Sequence, residues 1–209
     1  FINSSFKGFF KWVISRFVVA KTGSKFITVS PSMNLVAAKF YSNSPDEYTS
    51  IQNGIDIKKF PLAPKKDIQQ HKLYPQILMI GTLTANKGQI KGIDSFQLLL
   101  QDFPNAKLNL IGEGEDRLAI EQRIKNLNLE SNVEVLGLQT NIQDFLNQGS
   151  ILWQLSKTEA MPMAVLESMS IGMPVVGFNV RGINDAIVDN QTGFLVPYGD
   201  PELVASKTK

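Results

Sequence analysis

Glu159 and Glu167 are eight positions apart, and this pair is the strongest candidate in the sequence for a functional site. They lie on either side of Pro162, after the apolar segment ILWQLS at 151–156. Proline suits the first position of a helix, because its missing N–H is one of the donors left unpaired there. Open α/β sheets bind anionic ligands at such a strand-to-helix junction, through free backbone N–H groups and the positive end of the helix dipole. We therefore expect an anion-binding helix start between the two carboxylates.

The glutamate pair has three interpretations. A glycosidase acid–base pair is disfavoured, because eight residues at ~1.5 Å each span ~12 Å along a helix axis, more than the ~5–9.5 Å that two carboxylates need around one glycosidic bond. An elongated ligand such as a nucleotide sugar suits the spacing better, with ribose hydroxyls at one end, sugar hydroxyls at the other and a pyrophosphate between them. Two solvated glutamates near a helix start, where negative charge is favourable, explain it equally well. The spacing alone leaves the last two interpretations open.

Composition excludes several other kinds of site. The sequence has no cysteine, which rules out disulfides, thiolate nucleophiles and cysteine-ligated zinc. Its one histidine, His71, lies in the Lys- and Gln-rich stretch QQHKLYP, and we interpret it as a solvated linker residue. No P-loop motif is present, and the turn at 112–114 lacks the third glycine of a dinucleotide fingerprint. No ligand cluster indicates a metal site, so we expect neither a metal nor a cofactor.

The net charge of +2 is unevenly distributed, because residues 1–45 contain six basic and no acidic side chains. Such asymmetry is typical of a surface that meets anionic lipid, and equally of a solvated helix face. The apolar stretch at 9–20 is interrupted by Lys11 and Arg16 and predicts no transmembrane helix. Its aromatic residues have helical spacing, which favours a core over a platform for nucleic-acid bases. We expect a cytoplasmic protein without a nucleic-acid partner, and leave open peripheral contact with the inner membrane surface.

The order of apolar segments predicts the fold class. The 209 residues are 43% hydrophobic and 19% charged, an ordinary globular composition. The apolar runs are continuous rather than alternating, as expected of strands that are covered on both faces. They alternate with helical patterns, which predicts an α/β protein with a Rossmann-like, doubly wound parallel sheet. We place strands at 26–30, 77–83, 108–112, 133–137, 151–156, 174–178 and 193–196, and helices at 91–103, 115–128, 141–148 and 162–172.

The alternation is interrupted before residue 77, where a proline- and lysine-rich stretch without periodicity predicts a linker at 61–76. Residues 1–60 then form a partial second α/β domain, with helices near 6–24 and 31–42 and a short strand near 48–52. Residues 77–209 form the main domain. A last helix begins in the segment DPELVASKTK, and we expect it to be incomplete.

The sequence resembles the retaining GT-B glycosyltransferases of family four, also known as glycosyl transferases group 1. Glu159 and Glu167 match the two glutamates of their E-x7-E signature, and the resemblance continues from residue 166 through GFLVPYGD at 193–200. Upstream, ILMIGTLTANKG at 77–88 resembles the first strand and phosphate loop of the C-terminal domain, LNLIGEGEDRL its second strand and turn, and VEVLG its third strand. NGIDIKKF at 53–60 resembles the segment that closes the N-terminal domain, and ITVSPSM that domain's last strand. The match extends over nearly all of the sequence in the family's order, and implies that most of the N-terminal domain is absent.

The resemblance implies a role for each matching residue. Glu167 matches the glutamate that binds the nucleotide ribose, and Glu159 matches the one near the donor sugar. Lys87 matches the lysine that neutralises the diphosphate leaving group, a sound role because a cation there stabilises the charge that develops as the glycosyl bond breaks. Catalysis is thus assigned to Lys87 and Glu159. Donor binding is assigned to Gly81, Thr82, Lys87, Glu159, Ala160, Met161, Pro162, Met163 and Glu167.

The sequence departs from the family's usual pattern in three places. Thr82 occupies the place of an arginine, so one of two expected phosphate cations is absent. Ala160 and Met161 replace Gly-Phe, which narrows the space near the sugar. Arg181 precedes Gly182 where a second glycine is commoner, and we interpret it as a surface residue.

The resemblance implies the donor-binding domain of an enzyme that moves a sugar from a nucleoside-diphosphate carrier to a glycan or lipid-linked acceptor, with retention of anomeric configuration. The isolated chain is expected to be inactive, because catalysis in the family takes place between two domains. A non-catalytic nucleotide or nucleotide-sugar binding module is the main alternative. A sugar-nucleotide epimerase of the same fold is a further one.

Overall fold

The structure is a computed structural model that describes residues 26–41, 44–63 and 73–209. The described residues belong to two compact units, which divide between Gln52 and Asn53. This division comes earlier than the predicted end of the first domain at residue 60. The reason is that residues 53–63 bond to the second unit: the N–H of Ala63 donates to the Ile171 carbonyl at 3.1 Å, and the Ser170 hydroxyl to the Phe60 carbonyl at 2.7 Å.

The first unit contains a parallel pair of strands with a helix between them in sequence. Strand β1 (Phe26–Thr28) pairs with β2 (Tyr48–Ser50), and helix α1 (Pro31–Tyr41) and a 3-10 turn (Pro45–Glu47) connect the two strands. Each lies near its predicted range, though both strands are shorter. The Phe26 ring stacks on Tyr41 and Tyr48 at centroid distances of 5.1 and 4.8 Å.

Parts of the N-terminal expectation lie outside the described residues. These include the helix predicted near 6–24, most of the basic side chains of residues 1–45, and His71. Within the described part of the chain, no helix is long and apolar enough to cross a lipid bilayer.

The second unit has a sheet of six parallel strands. In chain order they are β3 (Gln76–Ile80), β4 (Lys107–Ile111), β5 (Val133–Gly137), β6 (Ile151–Gln154), β7 (Val175–Phe178) and β8 (Phe194–Val196). Their order across the sheet is β5-β4-β3-β6-β7-β8. The first three strands therefore run outward from β3 in one direction and the last three from β6 in the other, as in a Rossmann sheet. The predicted Rossmann-like, doubly wound α/β fold is confirmed.

Helices cover both faces of this sheet. They are α2 (Gln89–Leu99), α3 (Arg117–Asn126), α4 (Ile142–Gln148), α5 (Met163–Ser170) and α6 (Pro201–Thr208). One buried cluster contains apolar side chains of α2, α3 and α6, such as Phe96, Ile120 and Val204. A second cluster contains those of α4 and α5, such as Leu146 and Val165. Both faces are apolar, which explains why the strand sequences are continuous hydrophobic runs.

Several elements end at other residues than predicted. Strand β3 ends at Ile80 rather than at residue 83, because Gly81 has a φ of 152°, which side-chain-bearing residues rarely adopt. Helix α2 covers 89–99 rather than 91–103. Pro162 precedes α5 as its N-cap, with an extended ψ of 120°, and Met163 takes the first helical position that we had assigned to the proline.

The start of α2 depends on a close backbone approach at Gly88. This glycine has a φ of 75°, and a Cβ there would lie 2.1 Å from the Leu155 carbonyl oxygen. Gly88→Ala should therefore lower the free energy of unfolding by about 2–5 kcal/mol, from left-handed strain and overpacking together. Gly199 is a matched control, because its φ is 83° but nothing lies within 4 Å of its Cβ position. Gly199→Ala should lower the free energy of unfolding by only about 1–2 kcal/mol. Urea unfolding of both variants measures the two losses. Equal losses would contradict the steric argument.

Candidate donor-binding site

The predicted site residues follow the two central strands of the sheet. The order of strands reverses between β3 and β6, and the loops at the carboxyl ends of two such strands open a crevice where ligands bind in open α/β sheets. The loop after β3 contains Gly81, Thr82 and Lys87, and the loop after β6 contains Glu159. The topology therefore brings residues from positions 81–87 and 159–163 to the same end of the sheet.

The loop after β3 lies close against the end of β4. The Gly81 N–H donates to the Ile111 carbonyl at 2.9 Å, and a Cβ on Gly112 would lie 2.0 Å from the Gly81 oxygen. The Thr82 side chain is exposed, while its carbonyl accepts a bond from the Gln89 amide at 3.0 Å. The Cβ position of Gly81 lies 3.7 Å from the Lys87 side chain, so the lysine stem passes over this glycine.

Lys87 and Glu159 form an ion pair. The lysine Nζ lies 2.6 Å from Glu159 Oε1, and the Glu159 side chain is only 11% exposed. Two neutral donors reach the same oxygen: the Ser156 hydroxyl at 2.7 Å and the Gln154 amide at 3.0 Å. A carboxylate that is largely removed from water needs such partners, since its desolvation is otherwise costly. The site therefore presents a cation and an anion side by side.

Hydrogen bonds to main-chain carbonyls hold the loop that follows β6. The Asn86 side-chain amide donates to the Thr158 carbonyl at 3.1 Å, and the Glu159 N–H donates to the Arg181 carbonyl at 3.2 Å. Gly182 has a φ of 83°, and a Cβ there would lie 2.2 Å from the Glu159 oxygen. A side chain at this position would displace the loop. The Arg181 side chain itself is exposed, as we interpreted it.

The next residues lead into α5. Met161 and Pro162 are buried, Ala160 is partly exposed, and Met163 is exposed at the start of the helix. The Asn53 side chain donates to the Met161 carbonyl at 3.1 Å, so the segment that resembles a domain closure also holds this loop.

Glu167 lies in the second turn of α5, while Glu159 lies before the helix. The ~12 Å estimate assumed helix throughout, and this assumption does not hold, because only the residues from Met163 onward are helical. Glu167 is partly buried, and no described side chain bonds or pairs with its carboxyl group. Burial raises the pKa of this carboxyl group above its ordinary value.

Three functional candidates escaped the sequence analysis: Gln154, Ser156 and Asn53. The first two had a signal, since they are polar residues in the apolar run ILWQLS. Within the described residues, no group of three or more His, Cys, Asp or Glu side chains could hold a metal ion.

A cavity of about 430 Å³ lies elsewhere, near the amino ends of β7 and β8, and its lining includes Met169, Pro174 and Thr192. It contains none of the predicted site residues. We place the candidate site at the crevice instead, because charged groups converge there.

Comparison with protein families identifies the chain. A model described as glycosyl transferases group 1 matches residues 64–209. The chain belongs to this family. The resemblance stated from the sequence is thereby confirmed.

Individual relatives have different activities. N-acetyl-alpha-D-glucosaminyl L-malate synthase of Bacillus anthracis is 37% identical over 103 residues, which cover 49% of this chain and 27% of the relative. A UDP-Gal:alpha-D-GlcNAc-diphosphoundecaprenol alpha-1,3-galactosyltransferase of Escherichia coli is 24% identical over 207 residues, 95% of this chain and 53% of the relative. The chain thus spans about half the length of these curated relatives or less.

Solved structures show the same fold. Anabaena Alr3699/HepE in complex with UDP and glucose superposes with a TM-score of 0.82 at 20% identity, over 94% of this chain and 55% of that one. The C-terminal domain of a glycosyl transferase group 1 family protein, LpcC from Francisella tularensis, gives a TM-score of 0.64 at 23% identity, over 74% of this chain and 86% of that one.

The unpaired Glu167 predicts a pH-dependent stability. Because its pKa is raised in the folded protein, folding favours the protonated carboxyl group. The protonated group therefore stabilises the fold fully below the pKa of the unfolded chain, and this contribution is lost as the pH rises through the pKa of the folded protein. Glu167→Gln should therefore unfold at a higher urea concentration than wild type at pH 7. The difference should shrink as the pH falls through the raised folded pKa and should be lost below the ordinary value of 4.5. A variant less stable than wild type at pH 7 would show that the carboxylate has a stabilising partner.

Proposed function

We propose that this chain is the donor-binding part of a glycosyltransferase that moves a sugar from a nucleoside-diphosphate sugar to a glycan or lipid-linked acceptor, with retention of anomeric configuration. The observation that carries the proposal is the Lys87–Glu159 pair beside the start of α5, at the crevice between β3 and β6. Family membership supports a sugar transferase, and the crystal structure of HepE in complex with UDP and glucose supports this class of donor.

The charges in the crevice suit the departure of a diphosphate. Cleavage of the glycosyl bond leaves negative charge on the phosphate oxygens, and a fixed cation close by lowers the energy of that transition state. We propose that Lys87 supplies this cation, together with the free N–H groups at the start of α5. Gly81 and Thr82 belong to the loop that would lie along the phosphates.

The two glutamates suit different parts of the donor. Glu159 stands next to the phosphate cation, and we propose that it binds hydroxyls of the transferred sugar, with the backbone of 160–163 facing sugar and phosphate. Glu167 has no described partner, and we propose that it accepts hydrogen bonds from the two ribose hydroxyls. A buried carboxylate that gains two donors on binding recovers part of the cost of its burial.

The first experiment is a calorimetric titration of the 209-residue chain with UDP, GDP and ADP and with UDP-glucose, GDP-mannose and ADP-glucose. We expect one nucleoside diphosphate to bind, because the groups assigned to it all lie in the described second unit. We expect no sugar transfer, because the chain spans about half of its curated relatives or less. Absence of binding to all six ligands would overturn the proposal, and transfer to an acceptor by this chain alone would overturn the expected inactivity.

The roles of the glutamates can be separated by mutation. Glu167→Ala should weaken the nucleoside diphosphate and its sugar conjugate alike, roughly tenfold to a hundredfold, since hydrogen bonds to a charged acceptor are lost. Glu159→Ala should leave diphosphate binding nearly unchanged and weaken only the sugar conjugate. Titration of each variant with both ligands measures this. If Glu159→Ala weakens the bare diphosphate as much as Glu167→Ala does, the two-ended assignment fails.

The assignment of Lys87 predicts a large effect on turnover. In a two-domain enzyme that contains this chain, Lys87→Ala should cost about 2.7–4 kcal/mol of transition-state stabilisation, comparable to the loss of an oxyanion donor. Thr82→Arg should tighten diphosphate binding, because it adds a cation to the same loop. Lys125→Ala, which removes an exposed lysine of α3, is the control and should leave kcat/KM unchanged. Unchanged kcat/KM in Lys87→Ala would disprove the phosphate role.

A further inference from the structure

Two polar side chains are buried where β6 ends, in a segment that is otherwise apolar. Gln154 is 4% exposed and Ser156 is fully buried. An amide or hydroxyl group in such surroundings lowers stability unless it is hydrogen-bonded, so an apolar residue would be the simpler choice for packing alone. Packing alone therefore does not explain why these two side chains are polar.

The two side chains and Glu159 form a closed set of hydrogen bonds. The Gln154 amide nitrogen lies 2.9 Å from the Ser156 hydroxyl oxygen and 3.0 Å from Glu159 Oε1. The Ser156 hydroxyl donates to the same carboxylate oxygen at 2.7 Å. An amide nitrogen has two hydrogens, and a hydroxyl can accept one bond while donating another, so all three contacts can exist at once.

These bonds leave the two oxygens of Glu159 in different situations. Oε1 accepts from Lys87, Gln154 and Ser156, while none of the described residues donates to Oε2. The carboxylate is therefore anchored through one oxygen and can accept from a ligand through the other. Lys87 likewise has three N–H donors and uses one on Glu159, which leaves two for an anion.

We propose that Gln154 is a positioning residue for the donor sugar, which acts through Glu159 and is assisted by Ser156. This inference rests on the proposed function. An amide suits the role because it adds a bond to Oε1 without adding charge. A second cation would compete with Lys87 for the carboxylate and change the field at the diphosphate. An apolar residue would leave Oε1 held by Lys87 and Ser156 only.

The test compares Gln154→Met with wild type, since methionine keeps the length of the side chain and removes both donors. Titration uses whichever pair binds wild type: UDP with UDP-glucose, GDP with GDP-mannose, or ADP with ADP-glucose. We expect the sugar conjugate to bind roughly threefold to tenfold more weakly, and the bare diphosphate to bind as in wild type. Ser156→Ala should act in the same direction and serves as a second, smaller change.

Ser95→Ala is the matched control for Ser156→Ala. Ser95 is fully buried in α2, and its hydroxyl makes one bond, to the Lys91 carbonyl at 2.9 Å. Its loss should leave both affinities unchanged.

Combination with Glu159→Ala distinguishes positioning from a general effect on the fold. If Gln154 acts through Glu159, Gln154→Met should have no further effect on sugar-conjugate binding once Glu159 is removed. A purely structural role would give the same loss in both backgrounds, or would weaken the diphosphate too, and either result would overturn the inference.

Wild type, the two single variants Gln154→Met and Glu159→Ala, and the double variant are also unfolded in urea without ligand. A positioning contact predicts that the shifts in the urea midpoint are not additive. Additive shifts count against the inference whatever the ligands show. If wild type binds none of the pairs, the proposed function fails and the positioning role fails with it. If wild type binds and the effects are additive, only the inference on Gln154 fails.

Discussion

The candidate site depends on the ion pair between Lys87 and Glu159, two residues that are 72 positions apart in the sequence. The carboxylate is nearly buried, and removal of either charge alone would leave the other in poor surroundings. The pair can form only because β3 and β6 are neighbours in the sheet and run in the same direction, so that their following loops leave the sheet at one end. Strand order is therefore the physical basis of the site.

That constraint explains the glycines around the crevice. Each loop must lie against the backbone of another to bring the two charges within 2.6 Å. A Cβ at Gly88 would clash with Leu155, one at Gly112 with Gly81, and one at Gly182 with Glu159. All three of these contacts are with carbonyl groups of the main chain, which cannot move aside as a flexible side chain can.

The sequence predicted the sheet well because both of its faces are buried. Apolar runs such as VEVLG at 133–137 have no alternation, and the observed β5 covers the same residues. Element ends were less predictable, because they depend on backbone angles such as that of Gly81 and on neighbours distant in sequence. The division at residue 53 could not be predicted from composition, since it depends on hydrogen bonds from residues 53–63 to α5 and the loops at its two ends.

The sequence suggests which residues form the candidate site, but not how they are arranged. Lys87 and Glu159 were assigned to different parts of one ligand, and nothing in the sequence indicated that they pair with each other. That contact depends on the strand order 5-4-3-6, which periodicity does not encode. The sequence shows Gln154 as a polar residue in an apolar run, but this signal indicates a function only when the partner of the side chain is known.

The contrast between the two glutamates shows how position determines chemistry in residues of one type. Glu159 follows a central strand and is surrounded by donors, so its charge is balanced before any ligand arrives. Glu167 lies on α5 with no described partner, and burial raises its pKa. A group that is balanced can be held in one orientation with little cost, whereas an unbalanced one lowers stability until a ligand supplies donors. In the proposed function, Glu159 would thus hold a fixed geometry next to the reacting bond. Glu167 would contribute binding energy away from it.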